Sequence, residues 1–74
     1  MKRTPVSSSV LVSVGYDDET NTLELEFHGG AIYRYFEVQP IVHSELLAAD
    51  SLGGYFARHI RDQYPYEQVR GPDS

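Results

Sequence analysis

The sequence predicts an α+β domain, a three-stranded antiparallel β-meander covered on one face by two short helices, in the order β-β-β-α-α. Three observations lead to this prediction. Apolar and polar residues alternate through the first half of the chain, as they do in half-buried strands. The pair Gly29-Gly30 interrupts this alternation, which is typical of a hairpin loop. After Pro40 the apolar residues recur at helical spacing instead.

The composition predicts one small domain. The chain has 74 residues, 41% of them hydrophobic and 23% charged, and carries a formal net charge of -5. No apolar run approaches the roughly 18 residues of a membrane span, and no secretory signal pattern follows Met1-Lys2-Arg3. We therefore expect a cytoplasmic protein without a membrane partner. The absence of cysteine excludes disulfides and thiolate chemistry.

We expect a single domain over residues 8–66, with flexible tails over 1–7 and 67–74. The first tail contains Pro5 and shows no periodicity. The second reads Glu-Gln-Val-Arg-Gly-Pro-Asp-Ser and is polar throughout most of its length. Neither segment has the alternating pattern of a strand, so neither is assigned a role in the fold.

Three alternating runs predict strands near residues 9–16, 22–28 and 31–37. The acidic stretch Asp17-Asp18-Glu19-Thr20-Asn21 supplies turn-forming side chains and forms the first loop. Placing Val14 opposite Leu25 brings the large apolar residues of the first two strands onto one face.

A two-residue loop at Gly29-Gly30 then sets the register of the second hairpin. Leu25 lies opposite Arg34 in this register, Phe27 opposite Ile32, and Leu23 opposite Phe36. Tyr33 and Tyr35 fall on the other face, together with Glu24, Glu26 and His28. One face is therefore predicted to be apolar and helix-covered, and the other acidic, aromatic and exposed.

Helices are predicted near residues 40–49 and 52–63. Pro40 suits the first turn of the first helix, and Ser51 is a good N-cap for the second. The pair Gly53-Gly54 costs about 1 kcal/mol per glycine relative to alanine, which indicates close packing there. The predicted core is Val12, Val14, Leu23, Leu25, Phe27, Ile32, Phe36, Val42, Leu46, Phe56 and Ile60.

A set of separated motifs stands in order along the predicted domain. It comprises Ser8-Ser9, Gly15-Tyr16-Asp17, Thr22-Leu23, Phe27, Gly30, Tyr33-Arg34-Tyr35, Val38, residues 49–56 (Ala-Asp-Ser-Leu-Gly-Gly-Tyr-Phe) and Ile60-Arg61. This set resembles the KTSC domain family, small modules found at the C-terminus of some lysyl-tRNA synthetases and as stand-alone bacterial proteins. A central Tyr-x-Tyr is the family's signature. The resemblance implies a role in RNA binding, although Ala57 stands where family members often have asparagine.

Tyr33 and Tyr35 are the first candidate binding residues. Two aromatic rings on one face of a strand resemble the platforms on which unpaired bases stack, each stack being worth roughly 1 to 3 kcal/mol. Tyrosines are also good strand formers that cover a sheet or complete a core with a hydrated hydroxyl. The neighbouring glutamates favour this second interpretation, because they repel phosphates.

A second group of candidates is cationic or lies at the start of the second helix. Arg58 and Arg61, joined by Arg34, form a small basic patch. Alternatively, Arg58 and Arg61 are simply solvated cations at the end of the second helix. Ser51 and Gly53 offer hydroxyl and amide groups to an anion, or else they form a capped turn between the helices.

No catalytic or metal-binding pattern is present in the sequence. The histidines stand at His28, His43 and His59, without the spacing of a metal site, so we expect no metal and no cofactor. No serine lies in a nucleophile motif, and we expect that the protein is not an enzyme.

Two functions remain as hypotheses. The first is a small non-catalytic module that binds RNA, either tRNA or single-stranded, through Tyr33, Tyr35 and the basic patch. The alternative is a protein-protein adaptor or homo-oligomerising domain that uses the same tyrosine face, as aromatic residues often do at interfaces.

Overall fold

The computed structural model describes residues 1–72, which form one five-stranded antiparallel sheet and two helices. The strands lie in chain order across the sheet. The elements are β1 (Arg3–Pro5), β2 (Leu11–Asp17), β3 (Thr22–Phe27), β4 (Ile32–Tyr35), α1 (Pro40–Ala48), α2 (Leu52–His59) and β5 (Tyr66–Arg70). The predicted α+β class with two helices and an antiparallel sheet is confirmed. The predicted number of strands is wrong, because the sheet has five strands instead of three.

The two additional strands come from segments that were expected to be flexible tails. β1 pairs with β2 along one edge of the sheet, and β5 pairs with β4 along the other. Their side chains are largely exposed, so the apolar alternation that marks the inner strands is missing from both. Backbone pairing with a neighbouring strand forms them instead. The end of the second expected tail, residues 73–74, lies outside the described residues.

The hairpin between β3 and β4 has a longer loop than predicted. Phe27 donates its backbone N–H to the carbonyl oxygen of Ala31 at 2.8 Å, which leaves His28, Gly29 and Gly30 as a three-residue loop. Both glycines have a φ of 100°, a conformation that glycine adopts without strain. The Gly-Gly pair thus forms the predicted turn, but with one more residue in the loop.

This extra loop residue reverses the faces of β4. Leu25 lies opposite Tyr33 and Glu24 lies opposite Arg34, one position away from the predicted register. Because side chains alternate along a strand, a shift of one residue moves every side chain of β4 to the other face. Tyr33 and Tyr35 therefore lie on the helix-covered face. The prediction that they share an exposed face with the glutamates is wrong.

The helices begin as the sequence predicts. Pro40 occupies the first turn of α1, and the hydroxyl of Ser51 accepts a hydrogen bond at 3.0 Å from the backbone N–H of Gly54 in α2. A Cβ atom added to Gly53 would lie 2.5 Å from a methyl group of Val10. The absence of a side chain at Gly53 thus permits the close packing between α2 and the start of the sheet that the sequence indicated.

The core lies between the sheet and the two helices. Its fully or nearly buried members are Leu11, Val14, Leu23, Leu25, Tyr35, Val38, Leu46, Phe56 and Ile60. A β-bulge between Leu11 and Ser13 turns Leu11 inward in place of the predicted Val12. The register change removes Ile32 and Phe36 from this cluster and puts Tyr35 in their place.

Candidate functional site

An open pocket of about 310 Å³ lies on the helix-covered face of the sheet, beside the edge strand β5. We call it the aromatic pocket. Five aromatic and two charged side chains line it: Phe27, Tyr33, Tyr35, Phe56, Tyr66, Arg61 and Asp62. It is the feature that most resembles a ligand site, since such sites are concave, mostly apolar and provided with a few polar groups.

Strands β4 and β5 supply the three tyrosines of the aromatic pocket. Tyr33 and Tyr35 are two residues apart on β4, and their ring centroids are 6.4 Å apart with planes tilted by 25°. The ring of Tyr66 on β5 lies 5.8 Å from Tyr33 and 5.7 Å from Tyr35. Tyr35 is only 5% exposed, whereas Tyr66 is 54% exposed. The pocket therefore has an anchored inner ring and an open outer one.

The two phenylalanines join the pocket to the core. Phe56 of α2 meets Tyr35 edge to face at 5.9 Å and Phe27 at 5.2 Å. Phe27 in turn contacts Tyr33 edge to face at 5.8 Å. Edge-to-face contacts of this kind add about 0.5 to 1.5 kcal/mol beyond area burial, and they fix the orientation of the rings that a ligand would meet.

The turn after α2 places two charges at the rim of the pocket. Arg61 donates its backbone N–H to the carbonyl oxygen of Phe56 at 2.8 Å, and Gln63 donates to Ile60 at 3.0 Å. Between them Asp62 has a φ of 62°, in the left-handed region that aspartate tolerates better than most residues. The turn thus places both Arg61 and Asp62 in the lining of the pocket.

The environment of Tyr35 disfavours ionisation of its hydroxyl. Burial raises its pKa to about 12, and the nearby Tyr33, Tyr66 and Asp62 act in the same direction. Since the phenol stays neutral at physiological pH, it offers a hydroxyl donor to a ligand.

The opposite face of the sheet carries a network of charges, which we call the ionic face. Its members are Arg3, Ser13, Glu24, Glu26, Arg34 and Glu67, drawn from all five strands. Glu24, which is 3% exposed, pairs with Arg3 and with Arg34, the latter at 2.8 Å. Burial by itself raises the pKa of Glu24, but hydrogen bonds and charge from the two arginines outweigh this and hold the pKa below its ordinary value.

A smaller depression lies at the start of α2. Its lining includes Ser51, Tyr55, Arg58 and His59. The ring of Tyr55 lies 4.6 Å from the ring of His59, with the two planes tilted by 39°, and its hydroxyl donates to Glu45 at 2.9 Å. Burial, followed by this hydrogen bond, raises the pKa of Tyr55 to about 12. The hydrogen bond to Glu45 joins α2 to α1.

The predicted site residues separate into three places. Tyr33, Tyr35 and Arg61 share the aromatic pocket. Arg34 lies on the ionic face, where Glu24 and Glu67 pair with it, so the predicted joint patch of Arg34 with the helical arginines does not form. Of the remaining three, Ser51 at the start of α2 and Arg58 in its last turn line the smaller depression, and Gly53 packs against Val10.

Sequence reasoning missed four residues of the aromatic pocket. The sequence pattern assigns Phe27 and Phe56 to the core alone, gives no signal at Asp62, and puts Tyr66 at the border of an expected tail. The one available signal was Tyr66, an aromatic residue directly after Pro65. Its contribution depends on the pairing of β5 with β4, which begins where Phe36 donates its backbone N–H to the carbonyl oxygen of Pro65 at 2.8 Å.

Across residues 1–72 there is no group of three or more His, Asp or Glu side chains placed to hold a metal ion. The same part of the chain has no helix with the length and apolar character needed to cross a bilayer.

The fold and the site together define a small α+β domain with an aromatic pocket on its helix-covered face. The chain belongs to the KTSC domain family, whose model matches residues 7–64. This range holds the three inner strands and both helices. The edge strands β1 and β5 lie outside it, and so does Tyr66, the outer wall of the aromatic pocket.

Comparison with known proteins supports this assignment at the level of both sequence and structure. An uncharacterised protein of Stutzerimonas stutzeri is 50% identical over 64 residues, which cover 86% of this chain and 90% of that protein. The crystal structure of a KTSC domain protein from Yersinia pestis superposes with a TM-score of 0.88 at 33% identity, covering 93% of this chain and 97% of the other.

The chain is also homologous to a segment of a lysine–tRNA ligase. In the ligase of Nostoc sp. the match is 44% identical over 61 residues and covers 82% of this chain. It spans only 11% of the ligase.

Proposed function

We propose that this protein is a small non-catalytic module of the cytoplasm that binds RNA, with an unpaired base held in the aromatic pocket. The RNA is single-stranded or is a single-stranded part of a tRNA. The observation that carries the proposal is the convergence of five aromatic rings on one open pocket of about 310 Å³. No cofactor or metal takes part.

The pocket suits one base more than a run of stacked bases. Its volume is at the lower end of the roughly 300 to 1,000 Å³ of small-molecule sites. Tyr66 and the half-buried Tyr33 present the open aromatic surface. Stacking on such rings is worth roughly 1 to 3 kcal/mol per base and requires no particular base sequence.

The charges of the molecule limit how many phosphates the module contacts. The net charge is -5, and two of the arginines are engaged with glutamates on the ionic face. Arg61 is the cation at the pocket rim. Affinity for single strands falls with salt at a slope of about 0.7 per phosphate contact, so we expect a shallow salt dependence that reflects one or two contacts.

The family relationship supports RNA as the ligand. The chain is homologous to part of a protein named for its action on tRNA. This relationship makes tRNA and its single-stranded parts the first ligands to test.

The test is a titration of the full chain with tRNA and with short single-stranded RNA, followed residue by residue by NMR chemical shifts. We expect the shifts to concentrate on the aromatic pocket. Replacing Tyr66 with alanine should weaken binding about tenfold or more, since one stacking surface is lost. Val69→Ala is the matched control, because Val69 is an exposed apolar residue of the same strand that does not line the pocket.

Two outcomes would contradict the proposal. In one, Tyr66→Ala binds RNA as tightly as the parent chain. In the other, the shifts map to the ionic face, where Arg34 and Arg3 lie.

A second candidate function, a protein-protein adaptor or homo-oligomerising domain, is favoured by the exposed edge strand β5. Every residue of β5 is exposed, and two of them, Tyr66 and Val69, are large and apolar. Edge strands of this kind accept a further strand from a partner. Association through this edge should respond little to salt and should appear as a larger mass by light scattering, whereas RNA binding leaves a monomer.

A further inference from the structure

The two charges at the rim of the aromatic pocket differ from the charges of the ionic face. Arg3 and Arg34 are neutralised by glutamates on the ionic face. Among the described residues, Arg61 and Asp62 make no ion pair and no side-chain hydrogen bond. A carboxylate and a guanidinium that lie beside an aromatic pocket without protein partners are available to a ligand.

We propose that the aromatic pocket selects guanine among unpaired bases, with Asp62 as the residue that reads the base. This inference rests on the RNA-binding function proposed above and names its ligand. The rings hold any base by stacking, so selection must come from polar groups that face the edge of the base. Asp62 is the acidic group that lines the pocket.

The chemistry of the bases makes guanine the match for a carboxylate. An ionised carboxylate only accepts hydrogen bonds, through two oxygens side by side. The Watson–Crick edge of guanine presents two adjacent donors, N1–H and the N2 amino group, so both oxygens are satisfied at once. Adenine and cytosine present one amino group beside an acceptor nitrogen. Uracil presents N3–H between two carbonyl oxygens, which repel the carboxylate.

Arg61 explains how a carboxylate is tolerated in a site for a polyanion. It precedes Asp62 in the chain and lines the same pocket. We expect its guanidinium to contact the phosphate of the nucleotide whose base is held, a charge-assisted contact that offsets the repulsion from Asp62. The rim is then neutral overall, while each charge faces the part of the nucleotide that complements it.

Asp62 also has a structural reason to be present, because aspartate tolerates the φ of 62° found there. The test must therefore remove the charge without disturbing the turn. Asp62→Asn does this, since asparagine has the same shape and tolerates the same conformation. Asp18→Asn is the matched control, with the same change of charge on the exposed loop between β2 and β3.

The experiment is an NMR titration of the full chain with the RNA strands UUGUU, UUAUU, UUCUU and UUUUU at low salt. We expect the parent and Asp18→Asn to bind the guanine strand about tenfold or more tightly than the others, as a bidentate contact provides. Asp62→Asn should lose this preference and bind the other three strands at least as tightly as the parent does.

Each other result is decisive. Equal binding of all four strands by the parent overturns guanine selection and leaves the proposed RNA-binding function intact. A guanine preference that survives in Asp62→Asn overturns the assignment of Asp62. If none of the strands shifts the pocket resonances, the proposed function fails, and this inference fails with it.

Discussion

Leu25 and Glu24 are neighbours on the central strand β3, and they achieve nearly complete burial in opposite ways. Leu25 is 0% exposed and Glu24 is 3% exposed. Leu25 belongs to the apolar cluster between the sheet and the helices. Glu24 faces the other side of the sheet, where the side chains of Arg3 and Arg34 cover it. No helix is needed on that side, because long arginine side chains shield the sheet themselves.

The difference shows what each face contributes to the fold. Apolar burial is non-directional and independent of ionisation, so the aliphatic side chains of the helix face, such as Leu25, supply stability that does not depend on pH. The ionic face requires charged partners in fixed positions, and its members come from every strand. The side chains of the short edge strands bury little surface. The ionic face therefore helps to join these strands to the centre of the sheet.

The largest expected effect comes from the apolar side of this comparison. Leu25→Ala removes a fully buried side chain and leaves a cavity beside the helices, so we expect a loss of about 2 to 5 kcal/mol of unfolding free energy. Urea unfolding followed by circular dichroism measures it. A loss below about 1 kcal/mol would mean that the helices do not pack on β3 as described.

A smaller loss is expected on the ionic side. Glu24→Gln keeps the shape of the side chain but removes the charge that pairs with two arginines, which should cost about 1.5 to 3 kcal/mol, the range for hydrogen bonds to charged groups. The arginines are partly exposed and recover some hydration, so the loss stays below that of Leu25→Ala.

Glu19→Gln is the control for Glu24→Gln, since it makes the same change of charge on an exposed loop. It should leave the unfolding free energy within about 0.5 kcal/mol of the parent. Equal effects of the two substitutions would show that total charge matters and the network does not.

Acid should lower the stability that the ionic face contributes, through protonation of Glu24. The pKa of Glu24 is lowered in the folded protein from its ordinary value of 4.5. Above pH 4.5 the contribution of Glu24 to stability is fully present, and it is lost as the pH falls through the lower pKa of the folded state. Unfolding free energies measured down through this range should fall more steeply for the parent than for Glu24→Gln. Parallel curves would contradict the lowered pKa.

Which residue faces which side was only partly predictable from the sequence. Alternation along β3 placed Leu23 and Leu25 on the helix side correctly, because apolar side chains leave no choice there. In β4 the length of the preceding loop decides which side chains face the helices, and Gly29-Gly30 is compatible with loops of two or three residues. Both faces of β4 carry aromatic or aliphatic side chains, so its own pattern did not decide between them.

The edge strands and the aromatic pocket were less predictable for a related reason. The side chains of β1 and β5 are largely exposed, and backbone pairing with neighbouring strands forms both. The pocket combines residues that lie up to 39 positions apart, from Phe27 to Tyr66. The sequence identifies Tyr33 and Tyr35 as candidates through a hairpin register that is wrong, and Arg61 through its charge. Their meeting in one place depends on the register and on β5.

The smallest expected effect at neutral pH lies on the helix side, at Tyr35. Tyr35→Phe removes a hydroxyl that makes no hydrogen bond among the described residues, so the unfolding free energy should change by less than about 1 kcal/mol. The difference should grow in alkali. An unfolded tyrosine ionises near pH 10, whereas burial raises the pKa of Tyr35 to about 12 in the folded protein. The parent therefore loses stability as the pH rises above 10. The phenylalanine variant should lose less, because it has no hydroxyl at position 35 to ionise.

Urea unfolding of both proteins at neutral pH and between pH 10 and 12 measures the growth of this difference. Equal losses in parent and variant would mean that the hydroxyl of Tyr35 is hydrated, as on an exposed platform, and that the inner wall of the aromatic pocket is open. If the difference in unfolding free energy between parent and variant grows with pH, the helix face loses stability in alkali through Tyr35. The ionic face loses stability in acid through Glu24. The two sides of one sheet would then be distinguishable by pH alone.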